Sequence, residues 1–368
     1  MYKELTRALT PELTYLYFTV TSRCNAFCDF CWNWENVADA GKLYKEGQAI
    51  KRKELSLEEI EKLTLNLPKM LLVDLYGGEP FVREDLKEII DLFAINCNTK
   101  YFSIPTNAYY TERIEKTLTH ALEKYPQSFF RMAISIDGPE KIHNRVRKLK
   151  DGYQNAMRTV NMIAGLREKY PNISMSLNSV YNRMTQEAMP AFIEDMMELK
   201  LFDSISLGIV RGETYDPTLK EVSVDNYFAL KKRIEGYKLL SNQPFSPMQK
   251  VMEERTKTII ERAIRGKNSQ REFKCYGAKK FTLLDDQGEV FACEHLLEKS
   301  LGNIRDHNYN LQAVIDGAKA QQMRKAIKNK ECDCIWDCAI NTSNVFDPFG
   351  YPRLAVKTLG KMVKQIGK

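Results

Sequence analysis

Nowhere in the 368 residues does an uninterrupted apolar run approach the ~18 residues that a membrane-spanning helix needs. The first residues, Met1-Tyr2-Lys3-Glu4-Leu5, also lack the basic start and apolar run of a secretory signal, so a cytoplasmic location is expected. Lys and Arg exceed Asp and Glu by 55 to 48, a formal charge of +7, yet no basic run is longer than Lys51-Arg52-Lys53. Without a basic or aromatic stripe, neither nucleic acid nor a membrane is the favoured partner. A slightly basic solvated surface, or a pocket for an anionic substrate, accounts for the excess. There is no low-complexity segment.

What the chain does have is nine cysteines, unusual where a reducing cytosol disfavours stable disulfides. Clustered cysteines there hold metal or do redox chemistry. They sit on a strand–helix alternation. Strands are expected over Leu16–Thr21, Leu71–Tyr76, Tyr101–Pro105, Arg131–Ile136, Ile173–Ser179 and Ser204–Val210, each rich in Val, Ile, Leu, Phe or Tyr. Helical patterns lie between them. Ser56-Leu57-Glu58-Glu59 reads as a capping box ahead of Ile60, Leu63 and Leu67. Six such repeats predict an α/β fold with a parallel sheet, open or partly closed into a barrel. Beyond Gly212 two long helices are expected, Val224–Leu240 and Met248–Arg265, joined by the turn Ser241–Pro244. A hairpin follows, Phe281–Leu284 and Glu289–Ala292 around Asp285-Asp286-Gln287-Gly288.

Directly after the first expected strand come Cys24, Cys28 and Cys31, in the spacing C-x3-C-x2-C with Phe30 before the last. Three thiolates on one loop can ligate three corners of a [4Fe–4S] cube and leave the fourth iron open to a ligand. Zinc would ask for a fourth N or S ligand, and no nearby His supplies one. In this position the motif resembles that of the radical S-adenosylmethionine (SAM) superfamily. The resemblance implies a partial (β/α)6 barrel over residues 1–215, a SAM-binding [4Fe–4S] cluster, and hydrogen abstraction from a substrate. It also implies an external reductant such as flavodoxin or ferredoxin.

Further matches extend it. Gly77-Gly78-Glu79-Pro80 closes the second expected strand, where family resemblance places the SAM amino group and two glycines allow close backbone approach. The resemblance also assigns Ser135 and Asp137 to the ribose or carboxylate of SAM and Arg147 to its carboxylate, with Asn178 and Val210 toward the adenosine. His143 reads as a capping or packing residue, and Cys97 as a small buried apolar one.

Five cysteines remain: Cys275, Cys293, Cys332, Cys334 and Cys338. The opening C-x12-G-x4-C resembles the SPASM and twitch extensions of radical SAM proteins, which implies an auxiliary-cluster domain over 271–368 after a helical linker, 216–270. The full SPASM pattern would need seven cysteines for two auxiliary clusters, whereas five suffice for one [4Fe–4S] cluster with four thiolates. Cys275, Cys293 and Cys338 are expected as ligands, with Cys334 before Cys332 as the fourth. Zinc would suit four thiolates as well. The thiol left over either faces the substrate, where it could return a hydrogen atom to a radical, or is packing.

The expected reaction is dehydrogenation or epimerisation of a small polar substrate, carbohydrate or aminocyclitol-like. Modification of a ribosomally made peptide is the rival. Many such enzymes carry a recognition domain before the barrel, and about a dozen residues precede the first strand here. A non-catalytic iron–sulfur electron carrier is the alternative of a different class. Residues 224–266 and the hairpin are expected to close over the barrel mouth.

Overall fold

A computed structural model describes residues 12–37, 53–235, 237, 246–266, 273–332 and 334–347. Lys51-Arg52, the Ser241–Pro244 turn and the N-terminal residues read above lie outside the described residues.

The six expected strands form within two residues of their expected bounds: β1 Tyr15–Thr21, β2 Leu72–Gly77, β3 Tyr101–Thr106, β4 Phe129–Ser135, β5 Ile173–Tyr181 and β6 Ser204–Ile209. Each pairs in parallel with the next, in the order β6-β5-β4-β3-β2-β1. Connecting helices are α1 Leu57–Asn66, α2 Leu86–Asn96, α3 Thr111–Lys124, α4 Glu140–Arg147, α5 Gly152–Lys169 and α6 Met189–Leu199. Ser56 caps α1 as its sequence predicts: its Oγ accepts from Glu59 N at 3.2 Å while Glu59 Oε2 accepts from Ser56 N at 3.0 Å. This is an α/β architecture with a mostly parallel sheet, a partial barrel.

The strands alternate strictly, and the two faces differ. Leu16, Phe18, Val73, Leu75, Phe102, Ile104, Phe130, Met132 and Ile134 are buried on one face, in one core with Ile60, Leu63, Ile90, Phe93, Ile114, Leu118, Val160 and Ile163 of the helices. The other face carries Tyr15, Tyr17, Asp74, Tyr76, Arg131, Ser135 and Asn178, all lining a cavity. The register aligns Tyr17, Asp74, Ser103 and Arg131 in a row across four strands. A charged row inside a parallel sheet offers no hydrophobic stabilisation, so its presence points to a ligand.

The C-terminal hairpin, β7 Phe281–Leu284 and β8 Glu289–Phe291, continues the same sheet: β7 pairs with β1 in parallel and Tyr15 aligns with Phe281. With β9 Gly302–Asn303 the sheet reaches nine strands. Gly288 closes the hairpin turn at φ +88°, as expected of its position. Asp286 ties this turn inward, its Oδ2 accepting from Ser22 N at 3.0 Å and its carbonyl from Leu55 N at 2.7 Å.

Two helices fill the linker, α7 Val224–Ile234 and α8 Ser246–Ile264. The first is shorter than expected, with Glu235 as C-cap and Gly236 next in sequence, the residue type that commonly follows a helix end. Then come α9 Leu311–Asp316, α10 Ala318–Lys328 and α11 Asp337–Val345. Among the described residues neither linker helix contributes to the cavity lining. Their polar contacts explain why. Tyr227 of α7 donates to Leu207 O at 3.1 Å, and Thr256 of α8 bonds Asn341 Oδ1 and Asn344 Nδ2, so α8 backs α11 while α11 faces the cavity. Among the described residues no helix is long and apolar enough to cross a membrane.

Candidate active site

The cavity has a volume of about 470 Å³ and lies at the C-terminal ends of the strands, where parallel α/β sheets bind ligands. Cys24, Cys28 and Cys31 all line it, on the loop that leaves β1. Burial raises all three thiols; Cys28 reaches about 12 even though Arg147 opposes the rise. Thiols held neutral by burial beside a guanidinium are a donor set that a cationic metal centre would convert to thiolates. No group of three or more His, Cys, Asp or Glu among the described residues closes on a single metal ion. Three thiols on one cavity wall could each ligate one iron of a cluster and leave a fourth iron open.

The two glycines of the second strand end serve the chain itself. A Cβ on Gly78 would stand 2.3 Å from Arg23 O, and one on Gly77 2.0 Å from Thr21 O. Gly77 also has φ +151°. Their close approach brings Gly78 N to Thr21 O at 2.8 Å and Glu79 N to Arg23 O at 2.9 Å, locking the cysteine loop onto β2. Glu54 holds the same loop from outside by two bonds to Arg23.

Glu79 is buried and lines the cavity. Its carboxylate accepts from Thr106 Oγ1, Asn107 N and Phe81 N at 2.7, 2.7 and 3.2 Å. Burial nevertheless lifts it to about 7, so a bound ammonium group would restore its charge. Pro80 lies behind it, outside the lining, at the head of a short 3₁₀ turn.

Arg147, Ser135 and Asn178 line the cavity, and so does Val210. Asp137 is not among the lining residues. It is fully buried, with Oδ2 accepting from Arg147 Nε at 2.7 Å and Oδ1 from Val180 N at 2.8 Å, so both oxygens are occupied in positioning Arg147 against β5. Burial works against the Arg147 charge, but Asp137 together with Cys28 and Cys24 offsets it and the side chain is cationic. His143 supports this arrangement. Burial pushes it down to about 3, and its neutral Nδ1 accepts from Asp137 N. Cys97 is buried far from the cavity and donates to Thr64 O at 3.4 Å.

Sequence reasoning missed the other wall. Glu294, Arg211, Asp337, Asn341 and Thr342 line the cavity with Asp74, Tyr76 and Arg131. Four of the α11 residues, Asp337, Cys338, Asn341 and Thr342, fall on one helix face. Arg211 pairs with Asp337 and sits 4.3 Å over the Trp336 ring. Asp74 has one oxygen without a partner, and burial pushes it up to about 7, Glu294 adding to the rise and Arg131 opposing it. The buried Tyr76 hydroxyl lies near Thr19 and Glu294 without a well-formed hydrogen bond. The available signal was a charged residue in the middle of each apolar strand, Asp74 in LVDLYG and Arg131 in FFRMAIS.

The C-terminal cysteines separate into two groups. Cys293 is acted on by Cys334 and Cys275, and Cys334 by Cys275 and Cys332. The charges that act most on Cys338 are those of Glu294, Arg211 and Asp337, with no thiol among them. Of the five, only Cys338 lines the cavity, and its thiol donates to Glu294 Oε2 at 3.1 Å. The sequence reading ranked it among the ligands and ahead of Cys332.

Residues 18–168 match the family model described as "Radical SAM superfamily". Among curated proteins, the GTP 3',8-cyclase of Aquifex aeolicus (strain VF5) is 27% identical over 295 residues, 77% of this chain and 83% of that protein. The GTP 3',8-cyclase of Cronobacter sakazakii (strain ATCC BAA-894) is 32% identical over 111 residues, 30% of this chain and 31% of that protein. Among solved structures, native anSMEcpe with bound AdoMet has a TM-score of 0.54 at 16% identity, covering 95% of this chain and 99% of that one. Streptococcus suis SuiB bound to precursor peptide SuiA has a TM-score of 0.57 at 14% identity, covering 88% of this chain and 69% of that one. At those identities the likeness is one of fold.

Proposed function

We propose, from the premise that residues 18–168 are a radical SAM domain, that this protein abstracts hydrogen from a small hydroxyl- and amine-bearing molecule of the aminosugar or aminocyclitol kind. In this reading Cys24, Cys28 and Cys31 hold three corners of a [4Fe–4S] cluster. Glu79 accepts the SAM ammonium group, and Arg147, steadied by Asp137, grips its carboxylate. Ser135 and Asn178 offer polar contacts to the ribose. When bound, the cluster and SAM supply a hydrogen-abstracting carbon radical. The chain's own residues bind, orient and keep out water. Trp32 packs on Trp336 at 5.5 Å, bridging the cysteine loop and the C-terminal wall.

The observation that carries this reading is the single cavity joining the cysteine loop to a polar wall with unpartnered acceptors and donors. Its charge supports the substrate class. Among the described residues four acidic side chains, Asp74, Glu79, Glu294 and Asp337, line it against three guanidinium groups, and Arg147 and Arg211 already face Asp137 and Asp337. Among the described residues a polyanion would find no surplus of cations there. That balance argues against a triphosphate substrate, despite the similarity to GTP 3',8-cyclases. Cys275, Cys293 and Cys334, with a fourth thiol, would hold an auxiliary cluster that exchanges electrons with a flavodoxin or ferredoxin.

The test is formation of 5'-deoxyadenosine by anaerobically reconstituted protein, offered SAM and dithionite with aminosugars, aminocyclitols, GTP or short peptides. Stimulation by an amine-bearing sugar or cyclitol is expected. Stimulation by GTP or peptide alone would replace the substrate class, and no SAM cleavage under any condition would sink the reading.

A further inference from the structure

Cys334 stands close enough to Cys275, Cys293 and Cys332 to interact with each, and of the five C-terminal thiols only Cys338 is turned into the cavity. The chain path explains the division. Cys334 precedes α11, with its Sγ 3.9 Å from Trp336 O, whereas Cys338 lies in the first turn of the helix, on the face that carries Asn341 and Thr342. There it stands beside Tyr15, Tyr17 and Tyr76, the tyrosines of the sheet's cavity face. The Tyr76 hydroxyl, within reach of Thr19 and Glu294 but in no well-formed hydrogen bond, and one unpartnered Asp74 oxygen share the same space, as polar groups awaiting a ligand would.

We propose that Cys332, not Cys338, completes the auxiliary thiolate set, and that Cys338 is a catalytic hydrogen-atom donor that makes the net reaction an epimerisation. This rests on the function proposed above and names its outcome. The S–H bond of Cys338 breaks and a C–H bond forms at the substrate radical carbon. Delivery comes from α11, a different wall from the cysteine loop beyond β1, so the hydrogen returns on another face than the one it left. The thiyl radical then takes one electron from a reductant of the flavodoxin or ferredoxin class and one proton from solvent. Per turnover SAM, two electrons and one proton give methionine and 5'-deoxyadenosine, and the substrate keeps its oxidation level. Glu294, holding the thiol at 3.1 Å, fixes its direction.

Two measurements decide it on the reconstituted full chain. The first needs no substrate: iron content of C338A and C332A, with peptide mapping after iodoacetamide treatment of the wild type. C338A should keep about eight iron per chain and C332A should fall to about four, with Cys338 rather than Cys332 alkylated. Loss of four iron from C338A overturns the assignment. The second uses the aminosugars and aminocyclitols above in D2O. Wild type should give an isomeric product one mass unit heavier, while C338A and C338S form 5'-deoxyadenosine and lose the isomer. A product two mass units lighter, or an isomer without deuterium, overturns the proposal. If none of these compounds raises 5'-deoxyadenosine, the substrate class fails, and the iron and alkylation results still decide whether Cys338 is a ligand.

Discussion

Cys24, Cys28 and Cys31 occupy eight consecutive positions of one loop, whereas the five C-terminal cysteines span 64 positions and reach the sheet through a hairpin, two helices and the start of a third. The first group is positioned locally. β1 aims the loop, Gly77 and Gly78 let β2 close on it, and Arg147 stands behind it. The second group is positioned by tertiary packing, since nothing near Cys332 or Cys338 in sequence says which will face the cavity. A contiguous ligand set tolerates no distortion of its loop. A dispersed set depends on how its segments are tied to the rest of the sheet.

Separating the two groups is the largest expected effect. Cys28→Ala should abolish 5'-deoxyadenosine formation while iron falls from about eight to about four per chain. The remaining four, in a protein that still folds, would belong to the C-terminal group. Loss of all iron would mean that the two groups are not independent.

Next comes the loop's contact with β2. Gly78→Ala places a methyl 2.3 Å from a backbone carbonyl, which cannot rotate away as a side chain would. The loop must shift, and a displacement of about 1 Å at a reacting centre costs about 100-fold in rate. SAM cleavage should fall by that order with the C-terminal iron retained. Unchanged cleavage would show that the loop's position is not set there.

The same contrast governs what could be read from the sequence. The strands were legible because their apolar alternates face helices across a continuous core, as Phe18 against Phe93 at 6.0 Å illustrates. So was the cysteine loop, whose chemistry is written in two spacings. The cavity's far wall was not. Asp74 and Arg131 sit mid-strand among apolar neighbours and become a row only through the register of β2, β3 and β4. Nor was it legible that Asp137 accepts from both Val180 and Arg147. Cys338 lies inside α11 and Cys334 before it, a difference visible only once α11 is known to begin at Asp337.

A smaller effect probes the tie between the groups. Asp286→Ala removes the acceptor for Ser22 N and leaves a buried N–H unpaired, costing about 1–3 kcal/mol. Anaerobic urea unfolding should shift to lower midpoint with unchanged slope. Because the bond crosses from the hairpin turn to the base of the cysteine loop, hydrogen exchange should rise at residues 22–31 as well as at the turn. Exchange confined to the turn would mean that the loop is held by β2 alone.

The smallest effect concerns pH. Arg305, on the turn after β9, donates to both Glu59 oxygens at 2.7 and 3.0 Å, and Tyr309 adds a third bond. The Arg305 hydrogen bonds hold Glu59 down to about 2 against burial, which raises it. A carboxylate depressed in the folded state contributes its full stability above its unfolded value near 4.5 and loses it as pH falls through about 2. Acid should therefore loosen the C-terminal segment from α1, visible as faster hydrogen exchange at residues 302–309 between pH 5 and 3. Glu59→Gln should abolish this pH dependence and leave the segment less protected already at neutral pH, by about 1 kcal/mol. The cysteine loop makes no bond to Glu59, so its protection should follow Asp286 and Gly78 instead. If the loop tracks Glu59 across the same pH range, the two groups share one clamp and their contrast in positioning is lost.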